Sequence, residues 1–395
     1  MAQRRVISRA EIDAARRSGR VSFEILPGDI VTDEAREAAQ RLQIRLLDGP
    51  LERPVAPVTD SGTTARRMLF KRGARWIPPR EMILPRARRL GKLVLIGAGG
   101  VGANIGHLAA NQDIADDIVF IDIAPGVAEA AALDLNHASG VSRTRARATG
   151  GTSLALVENA DVVVVTAGRA RSPGMTRADL IDVNARVMRA AGAAISEGAP
   201  GAVVIVVTNP LDEMTYEMLR ATGFPRERVL GMAGTLDTAR FRNALAMAAG
   251  VELRDVDALT LGAHGEEMVP VVSASHIKGR PLHDFLSPEQ ISAAVKDTIT
   301  GGGQVVALRK TGSATVAPAH STIEVIDHLR GARAGTVPVS VLIDGELGLG
   351  DVVLGVPCRL GATGLLSIEM PRLTPQEHQA LLAAAEAIRI RLDSL

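Results

Sequence analysis

The chain has 395 residues, 46% hydrophobic and 23% charged, with a formal net charge of +1. That is the composition of a globular protein with core enough for two or three domains. The longest purely apolar runs, such as Val162 to Val165 and Val203 to Val207, fall far short of the ~20 residues of a transmembrane helix, so no membrane partner is expected. The opening MAQRRVISRAEIDAARRSGR alternates charge with small residues and has no apolar signal-peptide core. A single cysteine, Cys358, excludes an intrachain disulfide and a cysteine-built zinc cage. The expectation is a cytoplasmic protein without a metal site.

The near-neutral charge averages unlike parts. Residues 1–60 hold ten basic and ten acidic side chains, whereas residues 61–90 hold nine basic ones against Glu81 alone. The segment 61–90 is therefore +8 and the remainder of the chain −7. The 2% aromatic content and the use of only five lysines among 45 basic residues fit a genome favouring Arg and Ala codons and carry little functional weight.

In chain order, residues 1–50 predict a small α/β extension. Ile12 and Ala15 mark one face of a short helix, and Val21, Phe23 and Ile25 alternate as a half-buried strand does. Pro27-Gly28-Asp29 is a turn. Thr32, followed by Asp33 and Glu34, opens a helix with Ala35, Ala38, Ala39 and Leu42 on one face, and Ile44, Leu46 and Leu47 suit a second strand. Residues 51–90, with prolines at 54, 57, 78, 79 and 85 and the arginine cluster, predict a linker. At Gly91 the character changes. Apolar strands Leu93–Ile96, Ile118–Ile121, Val162–Val165 and Val203–Val207, each separated by a helix-length segment, carry the βαβ rhythm of a parallel sheet buried on both faces. Beyond about Thr235 come long helical stretches and hairpin-like segments near 336–375, which predict an α+β domain.

The first of these strands runs into Gly97-Ala98-Gly99-Gly100-Val101-Gly102, a GxGxxG loop. Its first glycine permits the tight turn, its second lets backbone approach a pyrophosphate, and its third allows close helix–strand packing. The following helix turns unpaired N–H groups toward the phosphates. Asp122, ending the next strand, suits the ribose hydroxyls and repels a 2′-phosphate, which favours NAD over NADP. The fold class is thus α/β: a Rossmann doubly wound parallel sheet over 91–234, then an α+β substrate domain over 235–395.

Four later segments carry chemistry. Ala170-Arg171-Ser172-Pro173-Gly174-Met175-Thr176-Arg177 follows the third apolar strand, at the edge where ligands bind, and its arginines suit anionic oxygens. Thr208-Asn209-Pro210 offers an amide to a carbonyl or hydroxyl oxygen. Leu236-Asp237-Thr238-Ala239-Arg240 places Asp237 and Arg240 on one helix face. Gly262-Ala263-His264-Gly265-Glu266 sets a histidine between glycines. Taken singly, these are a turn, a helix-surface ion pair and a structural histidine.

Together, and in this order, GAGGVG, ARSPGMTR, VTNPLD, GMAGTLDTARFR and GAHGEEMVP resemble the lactate/malate dehydrogenase family, in particular its malate dehydrogenases of the lactate-dehydrogenase-like type, from about Lys92 to Leu395. The resemblance implies that His264 exchanges a proton with the substrate oxygen and that Asp237 fixes its tautomer and stabilises the imidazolium. It implies that Arg240 pairs with the C1 carboxylate, that Arg177 polarises the carbonyl, and that Asn209 orients substrate and nicotinamide. Ser313 would be a wall of the pocket. Gly97, Gly99, Gly100, Val101, Gly102 and Asp122 would hold NAD. Arg171 would meet the distal carboxylate of a dicarboxylate, because facing a methyl group it would be a desolvated charge without a partner. The expected substrate is malate or oxaloacetate, as in the tricarboxylic acid cycle, and the family implies a homodimer or homotetramer. A dehydrogenase preferring lactate, pyruvate or another 2-hydroxy acid, and a non-catalytic cargo or scaffold protein, are the alternatives. Two departures stand out: Glu266-Glu267 where an Asp-Thr pair is common, which adds negative charge near the histidine, and Thr315-Val316 in place of an aromatic pair.

Residues 1–50 are additional to that family. Val6-Ile7-Ser8-Arg9-Ala10-Glu11-Ile12 and Ile30-Val31-Thr32-Asp33-Glu34-Ala35-Arg36-Glu37-Ala38 resemble the start of the ethanolamine-utilisation protein Q. That resemblance implies a tether to a shell or cargo partner of a bacterial microcompartment. The arginine-rich linker has only Phe70 and Trp76 to stack bases, so a solvated tether is expected there rather than nucleic-acid binding.

Overall fold

The computed structural model describes residues 5–26, 28–48, 87–169, 177–310 and 312–392. The chain divides into two units, residues 1–81 and 82–395. In the first, β1 (Val6–Ile7), α1 (Arg9–Arg17), β2 (Ser22–Ile25), β3 (Ile30–Val31), α2 (Asp33–Arg41) and β4 (Arg45–Asp48) follow in order. β1 pairs with β3 and β2 with β4, both in parallel. Ser8 N–H bonds the Glu11 carboxylate ahead of α1, and Thr32 Oγ1 accepts the Ala35 N–H to open α2. Ile7, Ile12, Phe23, Ala35, Ala38 and Ile44 close a small core of this unit's own. The brief strands β1 and β3, too short to show a period, are additions to the sequence reading.

The second unit is built on an eleven-stranded sheet. Its parallel half consists of β5 (Leu90–Ile96), β6 (Ala115–Ile121), β7 (Arg147–Gly151), β8 (Val162–Val165), β9 (Val203–Val206) and β10 (Val229–Gly231), in spatial order β7-β6-β5-β8-β9-β10. This is the Rossmann order, which reverses between β5 and β8. The apolar runs are explained by two-sided burial. Leu93 and Leu95 join one core with α3 (Gly100–Asn111) and α4 (Val127–Ser142). Val94 and Ile96 join another with α5 (Arg177–Gly198) and α6 (Leu211–Thr222).

The sheet does not stop at β10. After α7 (Gly234–Ala249), the strands β11 (Val256–Asp257), β14 (His276–Ile277) and β15 (Arg280–Pro281) form a separate small antiparallel sheet, while β12 (Thr260–Gly262) and β13 (Met268–Pro270) join the large one. Then come α8 (Pro288–Arg309), α9 (Val316–Leu329), β16 (Val337–Asp344), β17 (Gly350–Gly361), β18 (Gly364–Ile368) and α10 (Pro375–Leu392). β16 pairs antiparallel with β10 through Gly231 and Ser340, and β17 with β12 through Gly262 and Gly355. The later strands therefore extend the nucleotide-binding sheet, and His264 follows one of them directly. No helix among the described residues is long and apolar enough to cross a membrane.

The expected linker lies mostly outside the described residues. Its last arginines do not behave as a tether: Arg88 pairs with Asp161, and Arg89 with Asp113 and Asp116, as the chain enters β5.

Candidate active site

The loop after β5 fits a dinucleotide. Gly97 has φ +106°, a left-handed value that a side chain tolerates poorly, and a Cβ at Gly102 would lie 1.9 Å from the Gly97 carbonyl oxygen. These two positions draw α3 onto the strand. Gly99, at the N-cap, has open space where a Cβ would stand, so backbone there is approachable from outside. Gly100 lies against the Thr315 methyl, 2.6 Å from where its own Cβ would be, so the departure at Thr315-Val316 packs on the nucleotide loop. Asp122 accepts N–H bonds from Ala98 at 2.9 Å and Ala124 at 3.0 Å, one on each oxygen. Those bonds fix a carboxylate at the end of β6, with further lone pairs for a ribose.

Beyond β8 and β9 the chain forms the carboxyl edge of the sheet. Thr208 Oγ1 donates to the Ala167 carbonyl at 2.8 Å, and buried Asn184 on α5 joins Arg169 to the Asn209 carbonyl at 2.6 Å. Asn184 also accepts the Arg169 N–H at 2.7 Å. This side chain, which no motif in the sequence marks, therefore holds together two ligand-edge loops. Arg171 lies outside the described residues. Arg177 begins α5, but its side chain is likewise outside them.

The histidine lies across from this edge. His264 Nδ1 is 2.8 Å from Asp237 Oδ2, and Asp237 Oδ1 accepts Arg240 Nη1 at 2.9 Å. Asp237 is buried on α7, so one carboxylate aligns the imidazole with one oxygen and the guanidinium with the other. Helical i, i+3 spacing brings Asp237 to Arg240, and the β12 loop brings His264 to both. Burial works against charge on the imidazole, but the Asp237 carboxylate, by proximity and hydrogen bond, and Asp212 behind it outweigh burial and raise the pKa; Arg240 opposes them. With Nδ1 taken by Asp237, Nε2 is the ring nitrogen left for a ligand.

His264, Arg240, Asn209, Ser313 and Val101 all line one cavity of about 880 Å³. Five of the expected site residues, up to 212 positions apart from Val101 to Ser313, are thus brought together. Apolar Met232, Leu236 and Met268 complete much of the wall, the mixture expected of a small-molecule site. Glu266 faces this cavity, but Glu267 does not add a second charge to it: Glu267 Oε1 pairs with Arg391 Nη1 at 2.9 Å.

Residues 91–231 match the family model described as lactate/malate dehydrogenase, NAD binding domain, and residues 234–394 match its alpha/beta C-terminal domain. The chain belongs to the lactate/malate dehydrogenase family. It is 40% identical over 305 residues to a malate dehydrogenase of Roseiflexus castenholzii, a match covering 77% of this chain and 98% of that protein. Among solved structures it is similar to Cryptosporidium parvum malate dehydrogenase, with TM-score 0.74 and 36% identity, covering 78% of this chain and 100% of that one. It is also similar to the lactate dehydrogenase of the same organism, solved with lactic acid and nicotinamide adenine dinucleotide, with TM-score 0.74 and 32% identity over 78% of this chain and 98% of that one. The family's cofactor, NAD, is the one the glycine loop and Asp122 fit.

Proposed function

We propose that this chain is an NAD-dependent malate dehydrogenase that interconverts malate and oxaloacetate. The observation that carries the reading is the His264–Asp237–Arg240 array opening on a cavity whose wall also includes Val101 of the glycine loop. The chemistry NAD supplies when bound is exchange of a hydride with C2 of the substrate. Gly97, Gly99, Gly100, Val101 and Gly102 would hold its pyrophosphate and Asp122 its ribose. His264 Nε2 gives a proton to the C2 oxygen during reduction and takes it back during oxidation, with Asp237 stabilising the imidazolium. Its raised pKa keeps the protonated form in use nearer neutral pH. Arg240 pairs with the C1 carboxylate, Arg177 polarises the C2 carbonyl, Asn209 hydrogen-bonds the same region, and Ser313 forms a wall. Arg171 takes the distal carboxylate and sets the preference for a dicarboxylate.

Loss of NADH absorbance with oxaloacetate or pyruvate tests this. Oxaloacetate should be turned over faster, and His264→Gln should lower kcat by at least about a thousandfold, the scale of removing an acid–base group. Faster turnover of pyruvate would reassign the enzyme to lactate. No turnover of either would leave the scaffold reading. The likeness of residues 1–50 to a microcompartment leader supports a further role as a tether, with the dehydrogenase recycling NAD inside the shell as a homodimer or homotetramer. Shell co-purification that survives removal of residues 1–86 would count against the tether, and light scattering gives the assembly.

A further inference from the structure

The loop that carries the imidazole is held from behind. His264 donates its peptide N–H to Asp212 Oδ2 at 2.8 Å, and Asp212 Oδ1 accepts the Ser340 hydroxyl at 2.8 Å. Asp212, in the first turn of α6, and Ser340, on β16, are 1% and 0% exposed. A buried carboxylate thus ties the histidine's own peptide to the middle of the sheet. The next residue, Glu213, is equally buried and accepts Arg391 Nε from the last turn of α10. Arg391 in turn holds Glu267. Two consecutive residues of one helical turn therefore grip the loop, at His264 directly and at Glu267 through Arg391.

Hydrogen bonding alone does not call for a charge at position 212. An amide would accept the His264 N–H and meet the Ser340 hydroxyl at less desolvation cost. What the carboxylate adds is a negative charge near an imidazole that is positive for part of each turnover. The charged groups around His264 are Asp237 at Nδ1, Arg240 on the far side of Asp237, Asp212 with Glu213 beside it, and Glu266 at the cavity. Glu267 and Arg391 pair with each other. Burial and the neighbouring Glu213 push the Asp212 carboxyl up to about 6, while its bonds to His264 and Ser340 pull the other way. Its titration is thereby brought close to neutral pH, where its charge responds to its surroundings.

We infer that Asp212 is a positioning residue for His264, fixing the histidine's peptide and placing a second carboxylate near its ring, so that loop geometry and imidazole basicity are set together. This rests on His264 being the acid–base group.

Asp212→Asn keeps the shape and an acceptor for the His264 N–H, turns the group facing the Ser340 hydroxyl into a donor and removes the charge, whereas Asp212→Ala removes the charge and both hydrogen bonds. Titration of the histidine ring signals by NMR, in protein without added cofactor and with His264→Gln to assign the resonance, reads basicity apart from turnover. In Asp212→Asn the His264 midpoint should move to lower pH. In Asp212→Ala kcat should fall by about tenfold or more, the scale of a misplaced catalytic group. An unmoved His264 midpoint in the Asn variant overturns the inference, as does an Ala variant with parental kcat. If Asp212→Ala does not fold, the Asn midpoint decides alone. A midpoint that moves as expected in a protein that turns over no 2-oxoacid upholds the coupling of Asp212 to His264 and removes the acid–base reading instead.

Discussion

At Gly99 and Gly102, three positions apart in the same loop, a methyl group would act in opposite ways. A Cβ at Gly102 would come within 1.9 Å of a backbone oxygen, which cannot turn aside as a side chain does, so α3 must move off β5. A Cβ at Gly99 meets nothing within 4 Å and projects into the space through which a pyrophosphate would approach. Gly102→Ala should therefore lower both the melting temperature and NADH affinity, the latter by about tenfold or more, because the helix N-terminus that faces the phosphates is displaced. Gly99→Ala should leave the melting temperature unchanged and weaken NADH alone. Fluorescence titration with NADH beside thermal unfolding separates the two, and equal melting temperatures for both variants would contradict this account of the loop. The sequence marked both glycines through their spacing, yet only the packing distinguishes a glycine needed by the protein from one needed by the ligand. The same limit applies at the histidine. His264, Asp237 and Arg240 were legible as short words in the chain, but Asp212, Ser340 and Arg391 reach the loop from positions 52 to 178 residues away from their partners, with no local pattern to announce them.

The elements show a parallel contrast. Strands β8 and β9 were readable because sheet faces covered by helices demand continuous apolar runs. Edge strand β7 reads Arg-Ala-Thr-Gly-Gly, with Ala148 its one apolar side chain and Gly150 so close to α4 that a Cβ would be 2.1 Å from the Ala128 carbonyl oxygen. Such a strand is fixed by its neighbours and leaves no period in the sequence. The continuity of the sheet from β10 into β16 was hidden for a similar reason, since it rests on a single paired residue at Gly231. Near that junction the turn at 226–228 is joined to the β16–β17 turn by a forked pair, Arg226 Nη1 to Glu346 Oε2 at 3.1 Å and Nη2 to Oε1 at 2.8 Å, and Nη1 also reaches the Leu342 carbonyl. The Arg226 guanidinium holds the Glu346 carboxyl down from 4.5 to about 2. A folded-state pKa below the unfolded one contributes stability at pH above about 4.5 that is lost as pH falls toward 2. Because both side chains are about a quarter exposed, water screens much of the interaction, and a coupling of about 1 kcal/mol is expected near neutrality. A double-mutant cycle with Arg226→Met and Glu346→Gln, measured by denaturant unfolding, should give that coupling and see it shrink below pH ~3. A coupling unchanged by acid would mean that the fork is held by packing and the Leu342 carbonyl instead.

For the whole molecule, the division of charge along the chain has a structural counterpart at the entry to β5. The arginine-rich segment ends on the acidic dehydrogenase unit: Arg89 Nε lies 2.9 Å from Asp116, Arg89 Nη2 donates to the Ala115 carbonyl at 2.8 Å, and the Arg88 peptide N–H bonds the Arg330 carbonyl at 2.8 Å. The family match begins at residue 91, but the folded unit begins earlier. Every described residue placed at the cofactor loop or the cavity lies in 82–395. Removal of residues 1–86 should therefore leave kcat/KM for oxaloacetate within about twofold of the full chain. Removal of 1–90 spares the same catalytic residues, but it deletes Leu90, the buried first residue of β5, and takes Arg88 from Asp161 and Arg89 from Asp113 and Asp116, leaving Asp113 with Arg145 alone. The lost Leu90 side chain alone corresponds to about 2 kcal/mol of burial, and the ion pairs, being partly exposed, add less. At about 2 °C per kcal/mol for a unit of this size, the 91–395 protein should melt roughly 4–6 °C below the 87–395 protein. Thermal unfolding of the two truncations, with the full chain as reference, makes the comparison. Equal melting temperatures would show that the arginines and Leu90 are an appendage, and that the dehydrogenase begins where its family resemblance does.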